Sequence, residues 1–187
     1  MSKTKWLHLL KIYAITSFLG YCINFKQMKY RRLTQEELAE METEFIRFLV
    51  SNTVTGEDWE KIKSESPEKA EGLIEIFSDI VFEKILKDVH YLEYKTPKDY
   101  KTFHFTPEKA FMLGLQITGA SDLDFTQNDS PEMMMDQVKK SGAQLQMYSA
   151  EKTYKKSREE EIFSLMESGA LISKDGAMYK TLEALKG

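Results

Sequence analysis

The feature that most constrains this chain is a change of hydrophobic period at Asp88. Before it, apolar residues recur every three or four positions; after it, they alternate with polar ones. A helical period on one side and a strand period on the other exclude an all-helical and an all-strand fold. They point to an α+β domain, helical at both ends around a small antiparallel sheet.

Before the switch, Thr34 with Glu37 forms a capping box, and Leu38, Met41, Phe45, Phe48 and Leu49 follow at helical spacing. That predicts a core-facing helix of about four turns. Thr55-Gly56-Glu57-Asp58 opens a second, short helix carrying Trp59 and Ile62. Ser66-Pro67-Glu68 opens a third, with proline at the first helical position, where its missing N–H is harmless. Leu73, Ile76, Phe77, Ile80, Val81, Lys84 and Ile85 line one side of it.

After the switch, residues 89–95 and 100–105 are aromatic and β-branched around Thr96-Pro97-Lys98-Asp99, which reads as a hairpin. Pairing Lys95 with Tyr100 puts His90, Leu92 and Tyr94 on one face with Phe105, Phe103 and Lys101. Tyr91, Glu93, Thr102 and His104 then take the other face. The apolar face is expected to pack on the third helix. Residues 108–118 fit a helix or a strand; Gly114 and the hairpin's need for a partner favour the strand. Ser130-Pro131-Glu132 opens a short helix broken at Ser141-Gly142. From about Gln144 to Ser168 a longer helix is expected, with Gly169 as its left-handed cap. The stretch 170–180, with Lys174-Asp175-Gly176 between two apolar segments, predicts a short C-terminal hairpin.

Charge divides the chain a second time. Residues 1–27 hold Lys3, Lys5, Lys11 and Lys26 and no acid, leaving the other 160 residues with 22 basic and 30 acidic side chains, a net of -8. The segment 6–25 reads WLHLLKIYAITSFLGYCINF. It fits a signal or membrane anchor, an extra packed helix, or a leader ahead of a true start at Met28. Lys11 splits the apolar run and no small-residue cleavage site follows it, and the residues are those that AT-rich codons encode; the start at Met28 is preferred. The domain is then 28–187 and lacks the only cysteine, Cys22, which suits a cytoplasmic protein. A membrane-anchored or exported protein is the alternative, if 6–25 is a real anchor.

Chemistry is sparse. The histidines are His8, His90 and His104, without HxxxH or HExxH spacing, so no metal site is expected. Asp122, Asp124 and Asp129 suggest a calcium loop, but Gln127 stands where the glycine must be and Met133 where the glutamate must be. A helix-capping connector is the better reading. No phosphate cradle or nucleophile elbow occurs, so no cofactor and no catalytic residue are assigned. An enzyme would have to assemble carboxylates around His104.

Two functional readings remain. The preferred one is an acidic, non-catalytic protein-interaction or structural module with an unidentified protein partner, to which Met133, Met134, Met135 and Met147 could lend adaptable apolar surface. The alternative is a winged-helix-like nucleic-acid binder. In it, Lys152, Tyr154, Lys155, Lys156 and Arg158 on the last helix contact phosphates and the 170–180 hairpin is the wing. Glu159-Glu160-Glu161 and the body's charge oppose it. From Met28-Lys29-Tyr30-Arg31-Arg32-Leu33-Thr34 through Gly169-Ala170-Leu171-Ile172-Ser173-Lys174-Asp175-Gly176, the body resembles a family of small uncharacterised bacterial proteins. The resemblance spans 28–187 and implies no functional residues.

Overall fold

A computed structural model describes residues 28–127 and 130–186, which fall into two compact units meeting between Lys87 and Asp88. The leader reading lies outside the described residues. So does Asp129 of the rejected calcium loop.

The first unit is helical: α1 (Gln35–Glu40), α2 (Glu42–Ser51), α3 (Gly56–Glu65) and α4 (Pro67–Lys87). Thr34 and Glu37 form the capping box read from sequence, and Thr55 with Asp58 forms another at α3. The single first helix expected is two, interrupted at Met41, whose φ of -107° and ψ of 21° leave the helical range. Phe77 packs edge to face on Phe45 at 5.1 Å and tilted on Phe48 at 5.5 Å, Phe45 and Phe48 stack at 6.1 Å, and Trp59 of α3 lies edge to face against Phe45 at 5.2 Å.

The basic quartet before α1 is consumed inside this unit. Asp79 of α4 accepts the backbone N–H groups of Lys29 and Tyr30 at 2.7 and 2.9 Å. Glu83 accepts from Lys29 Nζ at 2.7 Å and Tyr30 Oη at 2.6 Å. Burial pushes the Glu83 carboxyl up, but these two hydrogen bonds together with the Lys29 and Lys87 charges hold it below its ordinary value. Arg31 grips Glu37 through both guanidinium nitrogens, and Arg32 pairs with Glu71. Fully buried Ser78 accepts the Leu33 N–H at 3.0 Å and donates to Ile74 O at 2.7 Å.

The second unit is an antiparallel sheet with helices. Its order is β4-β3-β2-β1-β5: β1 (Tyr91–Lys95), β2 (Asp99–Phe105), β3 (Lys109–Thr118), β4 (Gln144–Thr153) and β5 (Leu171–Ile172). Helices α5 (Pro131–Ser141), α6 (Arg158–Glu167) and α7 (Ala177–Leu185) complete it. The hairpin has the expected register, Lys95 opposite Tyr100 and Tyr91 opposite His104. Residues 109–118 are the strand favoured from sequence.

Two expectations fail. Residues 144–168 are not one helix: β4 comes first, then α6 behind a Ser157–Glu160 capping box. Gln, Met, Ala, Glu and Lys are good helix formers, yet β3 presents a ten-residue ladder, Thr118↔Gln144 to Lys109↔Thr153, and pairing overrides propensity. Nor is 170–180 a hairpin. The two-residue β5 pairs with β1, and the chain then enters α7, because Met178, Tyr179 and Leu182 bury at helical spacing. Gly176 makes that turn at φ 63°, where an added Cβ would lie 2.5 Å from the Tyr91 ring.

One sheet face carries Tyr100, Leu113, Leu115 and Ile117, which pack with Met134 of α5, Leu123, Phe125 and Met178, Tyr179 and Leu182 of α7. Buried Thr102 satisfies its hydroxyl on Leu113 O. On the opposite face lie Leu92 and Phe105, both nearly inaccessible, with α6 tied to that side by Lys152–Glu161 and by Gly169 against Tyr94. In the connector before α5, Asp124 opens a one-turn 3-10 helix (Phe125–Gln127), accepting from the N–H and hydroxyl of Thr126 at 2.8 and 2.6 Å, and Ser130 caps α5 itself.

Candidate interaction edge

The two ends of this sheet are built differently. At one, β5 offers two residues. At the other, β4 offers ten in unbroken register with β3, and it is the terminal strand of the sheet. Among the described residues no strand pairs with its outer edge. An outer edge is a row of unsatisfied backbone donors and acceptors, ready to template another strand. Edges are normally blunted by shortness, proline, bulges or charge. In β4 the ladder has no bulge, the strand has no proline, and Gln144 to Ala150 are seven uncharged residues.

Alternation gives the strand two characters. Leu145 and Met147 point to the face of the apolar cluster and pack against it, half-buried. The last turn of α7 lies over the same side, where Lys186 Nζ reaches Ser149 Oγ at 3.2 Å and neighbouring Leu185 is 55% exposed. On the other face, Tyr148 lies across Gly114 of β3. An added Cβ there would sit 2.1 Å from Tyr148 Cζ, so only glycine admits the ring. Tyr148 Oη donates to Asp99 Oδ1 at 2.5 Å, and Lys101 Nζ lies 3.0 Å from Asp99. Burial, then the neighbouring Asp99, pushes the Tyr148 phenol far above its ordinary range, so it remains a donor. β4 is thereby fixed in place by its side chains, while among the described residues no strand pairs with its outer backbone.

The residues assigned to phosphate contact are scattered over a strand, a loop and a helix start. Lys152 is on β4 and pairs with Glu161 at 2.5 Å. Tyr154 donates to Thr106 O at 2.7 Å, and burial raises its phenol pKa. Glu161 also accepts from the Lys155 backbone N–H at 3.1 Å; the Lys152 hydrogen bond, the larger influence, holds its carboxyl low. The Lys155 and Lys156 side chains are exposed. Arg158 opens α6, donates to Val89 O and lies 3.4 Å from Glu159. Three of the five thus spend their polar groups within the fold, and the helix and wing meant to present them are absent.

His104 does not gather a catalytic set. It stacks on Tyr91 at 4.7 Å and on Phe111 at 6.2 Å, with Tyr179 at 5.3 Å. Lys180 caps the Tyr91 ring and Lys109 the Phe111 ring, at 5.5 and 5.3 Å. The row is a side-by-side ring stack closed by a cation at each end. Burial holds His104 below its ordinary pKa, opposed by Glu183 and reinforced by His90, Arg158 and Lys180. Among the described residues, no group of three or more His, Cys, Asp or Glu could hold a metal, and no helix is long and apolar enough to cross a membrane.

Sequence reasoning missed β4 as the site. The signal that could have found it is the alternation Leu145-Gln146-Met147 beside an uncharged run, weak because only one of its faces is half-buried. Neither the curated proteins nor the solved structures contain a match to the chain. A family model described as "Family of unknown function (DUF6495)" matches residues 28–187, and the chain belongs to that family.

Proposed function

We propose that the protein is a non-catalytic protein-interaction module whose binding surface is the outer edge of β4, onto which an extended segment adds as a further strand. The observation that carries the reading is the contrast between the edges, two residues at β5 against ten in regular register at β4. Backbone hydrogen bonds supply affinity in strand addition, and pockets for alternate side chains supply selectivity. Here half-buried Leu145 and Met147 offer apolar surface on one side of the edge. The setting in this reading is the cytoplasm; no cysteine occurs from Met28 onward, which suits a reducing compartment.

Amide exchange on the full chain tests it. The β4 amides that point away from β3 should exchange much faster than those bonded to it, and should slow when an extended uncharged peptide of alternating apolar and polar residues is titrated in. Slow exchange of both sets in a monomer means that the edge is already covered and refutes the reading. Gel-shift titration across a salt series supplies the rival outcome: tight binding of DNA or RNA that weakens when Lys155 and Lys156 are replaced would favour the nucleic-acid alternative.

A further inference from the structure

We infer that the strand added at this edge is β4 of a second copy of the chain, paired antiparallel about a two-fold axis through Met147. The inference rests on the strand-addition reading and names its partner. The seven uncharged residues Gln144 to Ala150 have Met147 at their midpoint. Pairing the run with itself sets Met147 opposite Met147, Gln146 opposite Tyr148, Leu145 opposite Ser149, and Gln144 opposite Ala150. Side-chain parity is kept: Leu145, Met147 and Ser149 stay on the face of the apolar cluster, and Gln144, Gln146, Tyr148 and Ala150 on the other. No charge faces a like charge anywhere in the run.

Beyond the run, Glu151 of each copy comes opposite uncharged Ala143 of the other and keeps its own partner, Lys109, at 3.2 Å. The pairing therefore brings no unpaired acid against its image, and each contact occurs twice, as a two-fold interface requires. The same axis brings together Leu145 and Met147 of the two copies on one face of the continued sheet. Met147 at the axis is suited to meeting its own image, because an unbranched thioether side chain adapts its shape. Seven residue pairs give about six to eight backbone hydrogen bonds. That is a small interface, so the dissociation constant should be on the order of 10 µM rather than nanomolar.

Sedimentation equilibrium of the full chain over a concentration series, with amide exchange on the same samples, tests the inference. The expected result is a monomer–dimer equilibrium in which the outward β4 amides slow as dimer forms. Two double variants fix the register, both at exposed positions. Gln144→Lys with Ala150→Lys places two lysine pairs across the axis and should weaken the dimer by about tenfold or more. Gln144→Glu with Ala150→Lys makes both pairs opposite in charge and should restore or tighten it, which also shows that the two sites tolerate substitution. A dimer indifferent to both variants associates elsewhere and overturns the inference. A monomer with fast outward amides overturns the second copy as partner but leaves the edge open for another. A monomer with slow outward amides overturns both.

Discussion

Gly114→Ala is the sharpest probe of how β4 is held. The added Cβ would lie 2.1 Å from Tyr148 Cζ, where ordinary contact begins at 3.4 Å, so the ring must retreat by more than about 1 Å. Tyr148 Oη sits 2.5 Å from Asp99 Oδ1, and a retreat of that size breaks the hydrogen bond. A hydrogen bond to a carboxylate contributes ~1.5–3 kcal/mol, and the partly exposed Asp99 argues for the low end. Lost ring contact with β3 adds ~1 kcal/mol, while alanine's smaller unfolded-state entropy offsets ~0.4–1. The net cost is about 1.5–2 kcal/mol, which lowers the melting temperature of a chain this size by about 5 °C. Urea denaturation of four proteins (wild type, Gly114→Ala, Tyr148→Ala and the double variant) closes a cycle. In the Tyr148→Ala background, the glycine substitution should be neutral or slightly stabilising. An equal cost in both backgrounds would refute the argument, because no ring would then remain to be displaced.

Three further outcomes follow from the packing. Ser78→Ala leaves the Leu33 N–H without its buried acceptor and should cost ~1–3 kcal/mol in urea denaturation, with faster exchange at the Leu33 amide. His104 has a folded pKa below its ordinary 6.5, so the unfolded chain binds the proton first. Stability should be complete above pH 6.5 and fall as pH drops from there toward the folded pKa; His104→Phe should flatten that segment of the profile. Glu161→Gln weakens the acceptor gathering the Lys152 ammonium and the Lys155 amide. It should speed exchange at the Lys155 amide at a cost under about 1 kcal/mol, and unchanged exchange would contradict the clamp.

How far the sequence could be read depended on burial. The register from Tyr91 to Phe105 was legible because the four-residue turn Thr96-Pro97-Lys98-Asp99 fixes Lys95 opposite Tyr100, and both faces bury residues almost wholly, Leu92 and Phe105 on one and Tyr100 and Thr102 on the other. Residues 34–87 were legible from caps as much as from apolar spacing, since Thr34, Thr55 and Pro67 mark helix starts chemically. The capacity of Met41 to interrupt a helix carried no such mark. β4 was illegible because an edge strand leaves most of its residues exposed, and its identity as a strand depends on a neighbour more than 25 positions earlier. Asp175-Gly176 looked like a hairpin tip because positive φ serves a strand reversal and a helix entry alike; the choice falls to Tyr91, whose ring closes over the glycine. The basic cluster misled for a related reason. Lys152 and Arg158 look available in one dimension, and their partners Glu161 and Val89 come close only in three.

The brevity of β5 has a consequence for what the molecule can build. A sheet with two usable ends has a valence of two and can grow without limit, in the way cross-strand fibres do. Among the described residues one end is truncated to two residues, so strand addition as proposed would give each molecule a valence of one. Any strand taken up at β4 ends the sheet there unless that strand brings an open edge of its own. In that reading the short strand is a chain terminator, and the long one can take a partner without committing the protein to polymerise.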